Sequence, residues 1–348
     1  MARPARYRTG HADVDARIAE LIDAAGVSDN ADLVFEAVVS AVRMGREAAD
    51  RGDLKIVNAA LKELRYSFLV FEPYRATRKV SIFGSARLTR DDPAYTVAHD
   101  FGRAMAEAEW MVITGAGPGI MEAGIAGAGA DRAFGVNIVL PFEQEASPII
   151  AGDPKLINYR YFFTRKLTFM KESHAFALLP GGFGTLDESF ELLTLMQTGR
   201  TAVVPVVLLA EPGSTYWSAW LDFVTRELGG RGLISDDDLC LVRPATTVAE
   251  AVEEILGFYS SYHSMRFVGR RLVMRLNREP SDAELEAWGD EFSDIVTQGG
   301  FERTTAAASE IEDGDAVGLA RVAFRFDRSS YARLRRLIDR VNQRPNST

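Results

Sequence analysis

The run VSIFGSARLTRDDPAYTVAHDFGRAMAEAEWMVITGAGPGIME, Val80 to Glu122, sets the grammar of the fold. A short apolar segment, Val80–Gly84, precedes helix-length sequence over 93–109. A second apolar segment, Met111–Gly115, runs into glycines and another helix-length stretch, 119–129. Strands that are apolar on both faces, each followed by a helix, specify a parallel sheet covered on both sides. The pattern continues with apolar runs at Phe134–Leu140, Ala175–Pro180, Val203–Leu209 and Asp238–Val242. Helices are expected between and after them at 160–173, 185–197, 214–228 and 247–259. The fold class is therefore α/β, a doubly wound parallel sheet of Rossmann type, over residues 76–262.

The flanks read differently. Residues 1–75 carry helical stripes such as Val14, Ile18, Leu21 and Ile22, and then Leu54, Val57, Leu61, Leu64 and Phe68. Residues 263–348 read as a small α+β module. Leu272, Met274 and Leu276 alternate with Arg271 and Arg275, as on a half-buried strand. Val322, Phe324 and Phe326 alternate with Arg321 and Arg325. A further strand is expected near Phe301–Thr304, a last helix at Leu334–Val341, and a frayed tail over 344–348.

Composition narrows the class of protein. The 348 residues carry 40 Lys+Arg against 49 Asp+Glu, a formal charge of −9, with 47% hydrophobic residues. That is an ordinary globular composition, and its acidic balance argues against nucleic-acid or anionic-membrane partners. No apolar run reaches the ~20 residues of a membrane span. One cysteine, Cys240, excludes an internal disulfide and a Cys-based zinc cluster. The four histidines show no metal-ligand spacing, so no metal is expected. A cytoplasmic location fits these features.

In open parallel sheets, ligands bind beyond the carboxyl ends of the strands. The first strand ends in Gly84-Ser85. The second ends in Thr114-Gly115-Ala116-Gly117-Pro118-Gly119-Ile120-Met121-Glu122. The fourth ends in Pro180-Gly181-Gly182-Phe183-Gly184-Thr185-Leu186-Asp187-Glu188. With a strand order of 3-2-1-4-5-6, these three glycine loops converge on one crevice. A glycine turn that opens a helix aims free N–H groups and the helix dipole at an anion, so a phosphate-bearing ligand is indicated. The plainer reading is that these glycines only make tight turns. A dinucleotide is disfavoured: the second loop is G-x-G-x-G, and strand three offers Asn137 where an acidic residue would hold a ribose. No P-loop motif is present.

The loop at 180–188, with Arg165-Lys166 before it, resembles the signature of the LOG family, the cytokinin riboside 5′-monophosphate phosphoribohydrolases, often labelled lysine decarboxylases. Arg165 precedes Glu188 by 23 residues, as in that family's pattern. Gly84-Ser85 and the run at 115–122 match two further family motifs, and the resemblance covers roughly 78–260. It implies hydrolysis of the N-glycosidic bond of a nucleoside 5′-monophosphate, AMP or an N6-substituted AMP, without a cofactor. It also implies a homodimer or higher homo-oligomer. Carried over, Arg165 and Glu188 are the candidate catalytic residues, with Glu122 a second carboxylate. Gly84, Ser85, Thr114, Gly115, Gly117, Gly119, Lys166, Gly181, Gly182, Gly184 and Thr185 are the candidate phosphate and nucleotide contacts. Decarboxylation through a lysine-bound pyridoxal phosphate is discounted, because Lys166 alone lies near the crevice and the Arg-Lys motif already accounts for it. Two alternatives stay open. Thr185-x-x-Glu188 is also the pattern of a helix capping box. The same crevice would also suit a non-catalytic carrier of a nucleotide or of molybdenum cofactor.

Overall fold

The computed structural model describes residues 7–140 and 146–343, and the tail over 344–348 lies outside them. Its contacts divide the chain into two units, one up to Arg65 and one from Tyr66 onward.

In the first unit, α1 (Ala12–Ala24) and α2 (Ala31–Arg46) close on each other through Ile18, Ile22, Phe35 and Val39. A third helix, α3, spans Arg51–Phe71. The stripe expected to be buried along it is instead uncovered: Leu54, Val57 and Leu61 are exposed, as is Leu21 of α1. The α1–α2 pair seals with four buried side chains and leaves that apolar face unmatched.

The second unit holds a seven-stranded parallel sheet. In chain order its elements are β1 (Lys79–Phe83), α4 (Pro93–Glu107), β2 (Met111–Thr114), α5 (Ile120–Ala128), β3 (Ala133–Ile138) and β4 (Leu156–Tyr159). They continue with α6 (Phe162–Glu172), β5 (Ala175–Leu178), α7 (Phe183–Gln197), β6 (Val206–Leu209), α8 (Tyr216–Phe223), β7 (Arg243–Ala245) and α9 (Val248–Phe258). The strand order is β4-β3-β2-β1-β5-β6-β7. This is the expected order with one strand, β4, added at the edge beyond β3. The inner strands β1, β2, β5 and β6 are buried at every residue, as their unbroken apolar runs require.

The sixth apolar run does not form the strand expected of it. Asp236–Leu241 is a 3₁₀ helix opened by a capping box, in which Ser235 N donates to Asp238 Oδ2 at 2.8 Å. Three successive aspartates favour a helix N-terminus, and the strand begins only at Arg243. Past Phe223, α8 continues as a π-helical turn, Val224–Gly229.

The C-terminal module comprises β8 (Tyr262–Val268), β9 (Arg271–Leu276), α10 (Asp282–Glu291), β10 (Glu302–Thr304), α11 (Ala308–Glu312), β11 (Ala320–Phe324) and α12 (Tyr331–Asn342). Its antiparallel sheet runs β10-β11-β9-β8. One face packs on α10 and α12 through Trp288, Phe292, Leu334 and Leu337. The other face was expected to meet solvent, yet Arg275 and Arg321 on it are both buried. The short helix α11 lies over them and supplies Glu310, itself fully buried. Arg275 Nη2 donates to Glu310 Oε1 at 2.8 Å, and Arg321 Nε reaches the same oxygen at 3.4 Å. Arg275 and Arg321 stand directly opposite each other in the β9–β11 ladder, so Glu310 neutralises a like-charge pair.

Replacing Glu310 with Ala leaves two buried guanidinium groups without that carboxylate. The expected loss is about 3–5 kcal/mol of unfolding free energy, read from urea denaturation. A variant within 1 kcal/mol of wild type, roughly the scale of an ordinary surface substitution, would show that the module does not depend on this ion cluster.

Candidate active site

The crevice lies at the switch point of the sheet, where β2, β1 and β5 are neighbours. Three loops meet there. Ser85 N donates to Pro180 O at 3.0 Å, and Ile120 N donates to Ser85 O at 3.0 Å. Ser85 is thus bonded on one side to the loop after β5 and on the other to the loop after β2. Close approach explains several glycines. A Cβ on Gly119, whose φ is +68°, would strike the Ser85 carbonyl, and one on Gly181 would strike Thr185. One on Gly84 would strike Ile120, and one on Gly115 would meet the guanidinium of Arg165.

Gly182 and Gly184 differ from these. A Cβ on either would meet nothing within 4 Å, and neither has a positive φ. Packing does not require glycine at these positions, and Gly184 lies within the first turn of α7, where glycine costs about 1 kcal/mol relative to alanine. Their effect is to leave the start of α7 bare. The first intrahelical bond is Leu186 N to Gly182 O, so the amides of Phe183, Gly184 and Thr185 precede the hydrogen-bond ladder. They sit at the positive end of the helix dipole. Tyr216, at the start of α8, steadies this loop by donating to Gly181 O at 2.6 Å. No motif in the sequence points to that contact.

The charged side chains come from α6 and α7. Arg165 lies across the end of β3, with Nε donating to Val136 O at 2.8 Å. Its other guanidinium nitrogens extend toward Gly115. Lys166 is held by three carboxylates of α7: Asp187 at 2.7 Å, Glu191 at 2.6 Å and Glu188 at 3.8 Å. Its charge is already balanced within the protein. Glu188 is 7% exposed, and its Oε2 has no hydrogen-bond partner among the described residues. Burial pushes its carboxyl up to about 7, although Lys166 and Arg165 pull the other way. The capping-box reading does not hold, because α7 begins at Phe183 with Gly182 as its N-cap. Thr185 and Glu188 are interior to the helix.

Other predicted residues sit nearby in different settings. Glu122, in the first turn of α5, accepts from Arg90 at 2.8 Å and from the Tyr95 hydroxyl at 3.2 Å. Its ties are to α4 and the segment before it. Thr114 is fully buried, and its Oγ1 accepts from Ala116 N at 3.0 Å, which shapes the turn. Gly117 packs against Met121. Ser85 Oγ accepts from Arg87 N. His174 is half-buried, taking Lys79 N on its Nδ1. Burial holds its imidazole at about 3 and therefore neutral. Among the described residues no cluster of potential ligands could hold a metal ion, and no helix is long and apolar enough to cross a membrane.

The class defined here is a doubly wound α/β domain with three glycine loops meeting at its switch point, beside a buried carboxylate. Residues 118–255 match the family described as possible lysine decarboxylase. Over 114 residues the chain is 36% identical to a cytokinin riboside 5'-monophosphate phosphoribohydrolase of Arabidopsis thaliana, covering 33% of this chain and 50% of that protein. Over 145 residues it is 30% identical to the pyrimidine/purine nucleotide 5'-monophosphate nucleosidase of Escherichia coli, covering 39% and 32%. A molybdenum cofactor carrier protein of Chlamydomonas reinhardtii aligns with 52% of this chain and 98% of that one, at 20% identity and a TM-score of 0.35. Over part of the α/β domain the chain is thus similar to the LOG family. The chain spans about half the length of the plant relative and about a third of the bacterial one.

The raised Glu188 carboxyl ties stability to pH. Between pH 4.5 and about 7 the folded chain keeps a proton that the unfolded chain has released. Wild-type stability therefore falls as pH rises through that window. Glu188→Gln removes this contribution, and Lys166 keeps Asp187 and Glu191 as partners. Relative to wild type, the variant is expected to gain up to roughly 3 kcal/mol on going from pH 4.5 to pH 8, measured by denaturant titration at both values. A constant difference would mean that Glu188 titrates normally.

Proposed function

We propose that the crevice hydrolyses the N-glycosidic bond of a nucleoside 5′-monophosphate, AMP or an N6-substituted AMP, to the free base and ribose 5-phosphate. The observation that carries this reading is the buried Glu188 carboxyl, raised to about 7 and lacking a hydrogen bond on Oε2, beside the bare start of α7. The names of the curated relatives, phosphoribohydrolases and a nucleotide nucleosidase, support it.

The phosphate would sit at the amides following Gly182, with Gly84, Ser85 and the loop at Gly115–Gly119 closing the cradle. Arg165, fixed by Val136 O, would fork onto phosphate or sugar oxygens. Departure of the base leaves positive charge on the sugar, as in glycoside hydrolysis. Ionised Glu188 would stabilise that charge and take the proton from the attacking water. Lys166, with its charge committed to α7, would position Glu188 and would not bind phosphate itself. Glu122 would orient the sugar from the other wall of the crevice, held by Tyr95 and Arg90.

The working unit would be a homodimer. Phe162, Phe163 and Leu167 of α6 are about half exposed, and Phe183 is 93% exposed. Apolar side chains this close to the site are suited to a second copy of the chain. Light scattering on the eluting peak of a sizing column tests this, and a monomer would rule it out.

The direct test is product analysis on a nucleotide panel. Adenine and ribose 5-phosphate are expected from AMP. Absence of free base across the panel would end the enzymatic reading and leave the carrier, which a bound pterin recovered with the protein would then support. For wild type, kcat/KM is expected to rise with pH through about 7, because the working form of Glu188 is ionised, and Glu188→Gln should lose at least ~100-fold in kcat. Gly182→Ala and Gly184→Ala separate binding from folding. Neither substitution should lower the melting temperature, and each should raise KM for the nucleotide. An unchanged KM in both would mean that the α7 start does not hold the phosphate.

A further inference from the structure

The C-terminal module contains 13 arginines between positions 266 and 340. Among the described residues, ten of them hold a carboxylate within salt-bridge distance. The three for which no carboxylate contact is found are Arg270, Arg325 and Arg328. These same three, with Thr297, line one cavity of about 340 Å³.

They arrive there from separate connections. Arg270 is in the turn between β8 and β9. Arg325 directly follows β11, and Arg328 is in the loop that leads to α12. Thr297 is tied to the same place, its N donating to Arg325 O at 2.8 Å. Two of the guanidinium groups are oriented in advance. Arg328 stacks on the Phe267 ring at 4.5 Å and donates to Gly269 O at 3.2 Å. Arg325 donates to Gln298 Oε1. Arg328 also holds a left-handed backbone, φ +67°, which is uncommon for a long side chain. The neighbouring carboxylate, Asp327, is engaged elsewhere. It accepts from the amides and hydroxyls of Ser329 and Ser330 at the start of α12. In a chain of net charge −9, three cations left together around one cavity are not a by-product of overall basicity.

We infer that this cavity is a binding site for a small anion with two linked phosphate groups. Each guanidinium can fork onto a pair of phosphate oxygens. A single phosphate carries at most about −2 and leaves one of the three positive charges unmatched. Two linked phosphates match them, and 340 Å³ has room for both. The anion is either free pyrophosphate or the diphosphate of a nucleotide. The site shares no residue with the crevice at the parallel sheet, so it stands whether or not the crevice is catalytic.

The test uses the full chain with Arg165→Ala together with Gly182→Ala and Gly184→Ala, so that the crevice contributes little to phosphate binding. Calorimetric titration with pyrophosphate is expected to show one site. Adding Arg270→Gln, Arg325→Gln and Arg328→Gln should weaken it at least tenfold. ADP is titrated in parallel. If ADP binds more tightly than pyrophosphate and is lost in the same variant, the diphosphate belongs to a nucleotide. If pyrophosphate binds more tightly, the free anion is the ligand. No binding in the chain with the crevice substitutions, or undiminished binding once the three arginines are replaced, overturns the inference. Arg270→Glu alone, on an exposed turn where folding is not at stake, should also abolish binding with the melting temperature unchanged. Retained binding there would overturn it equally.

Discussion

The backbone of Ser85 is the joint on which the crevice depends. Its amide is tied to the Pro180 carbonyl and its carbonyl to the Ile120 amide. Two hydrogen bonds thus hold the loops after β5 and after β2 to the end of β1. The joint closes only because Gly119 and Gly181 present no side chain to it. The parallel order β2-β1-β5 brings the three strand ends side by side. Ser85 converts that adjacency into one surface. The glycines then fall into two kinds. Gly84, Gly115, Gly119 and Gly181 let segments touch, whereas Gly182 and Gly184 touch nothing and keep the α7 start uncovered.

Charge is distributed with the same economy. Lys166 is surrounded by Asp187, Glu188 and Glu191, but unequally: two contacts are at hydrogen-bond length and the one to Glu188 is 3.8 Å. The ammonium is mostly satisfied by the outer pair. Glu188 receives enough of its field to stay ionisable near neutrality and too little to be locked as a salt bridge. A stronger pairing would lower the carboxyl into its ordinary range, and no pairing would leave it neutral. Burial sets the upward direction, and the two carboxylates that share Lys166 on the same helix add to it.

Much of this was legible in the sequence, for a definite reason. The inner strands are apolar on both faces, so the parallel sheet follows from the pattern, and the crevice follows once the strand order 3-2-1-4-5-6 is assumed. What was hidden depends on long-range partners. The run at Asp238–Val242 has a strand's composition, but Asp236–Asp238 open a helical turn whose cap lies outside the run. Arg275 and Arg321 alternate with apolar residues as if solvated. Glu310 of α11, 35 and 11 residues away from them, supplies the shared carboxylate that permits their burial, and Asp315 adds a second one to Arg275. Thr185 and Glu188 fit a capping box by spacing, and only the true helix start at Phe183 removes that reading. The commitment of Lys166 was likewise invisible, because Asp187 and Glu191 count as ordinary helix acids until α6 is placed beside them.

The C-terminal module is built into the core and is not merely appended to it. Arg335 of α12 is almost fully buried, bonded to Glu254 of α9 and to Asp339, with its guanidinium over the Phe258 ring. Tyr331, one turn earlier, fills the space over Gly199, where any side chain would collide with its ring. Gly199 lies just past the Thr198 C-cap of α7, whose other end carries Gly182 and Glu188. A helix transmits displacement along its axis because its hydrogen bonds resist stretching, whereas a loop would absorb it. The seat of Tyr331 at one end of α7 and the bare amides at the other are therefore two ends of one rigid element. The module thus packs against the far end of the helix that carries the candidate carboxylate and contributes no residue to the crevice.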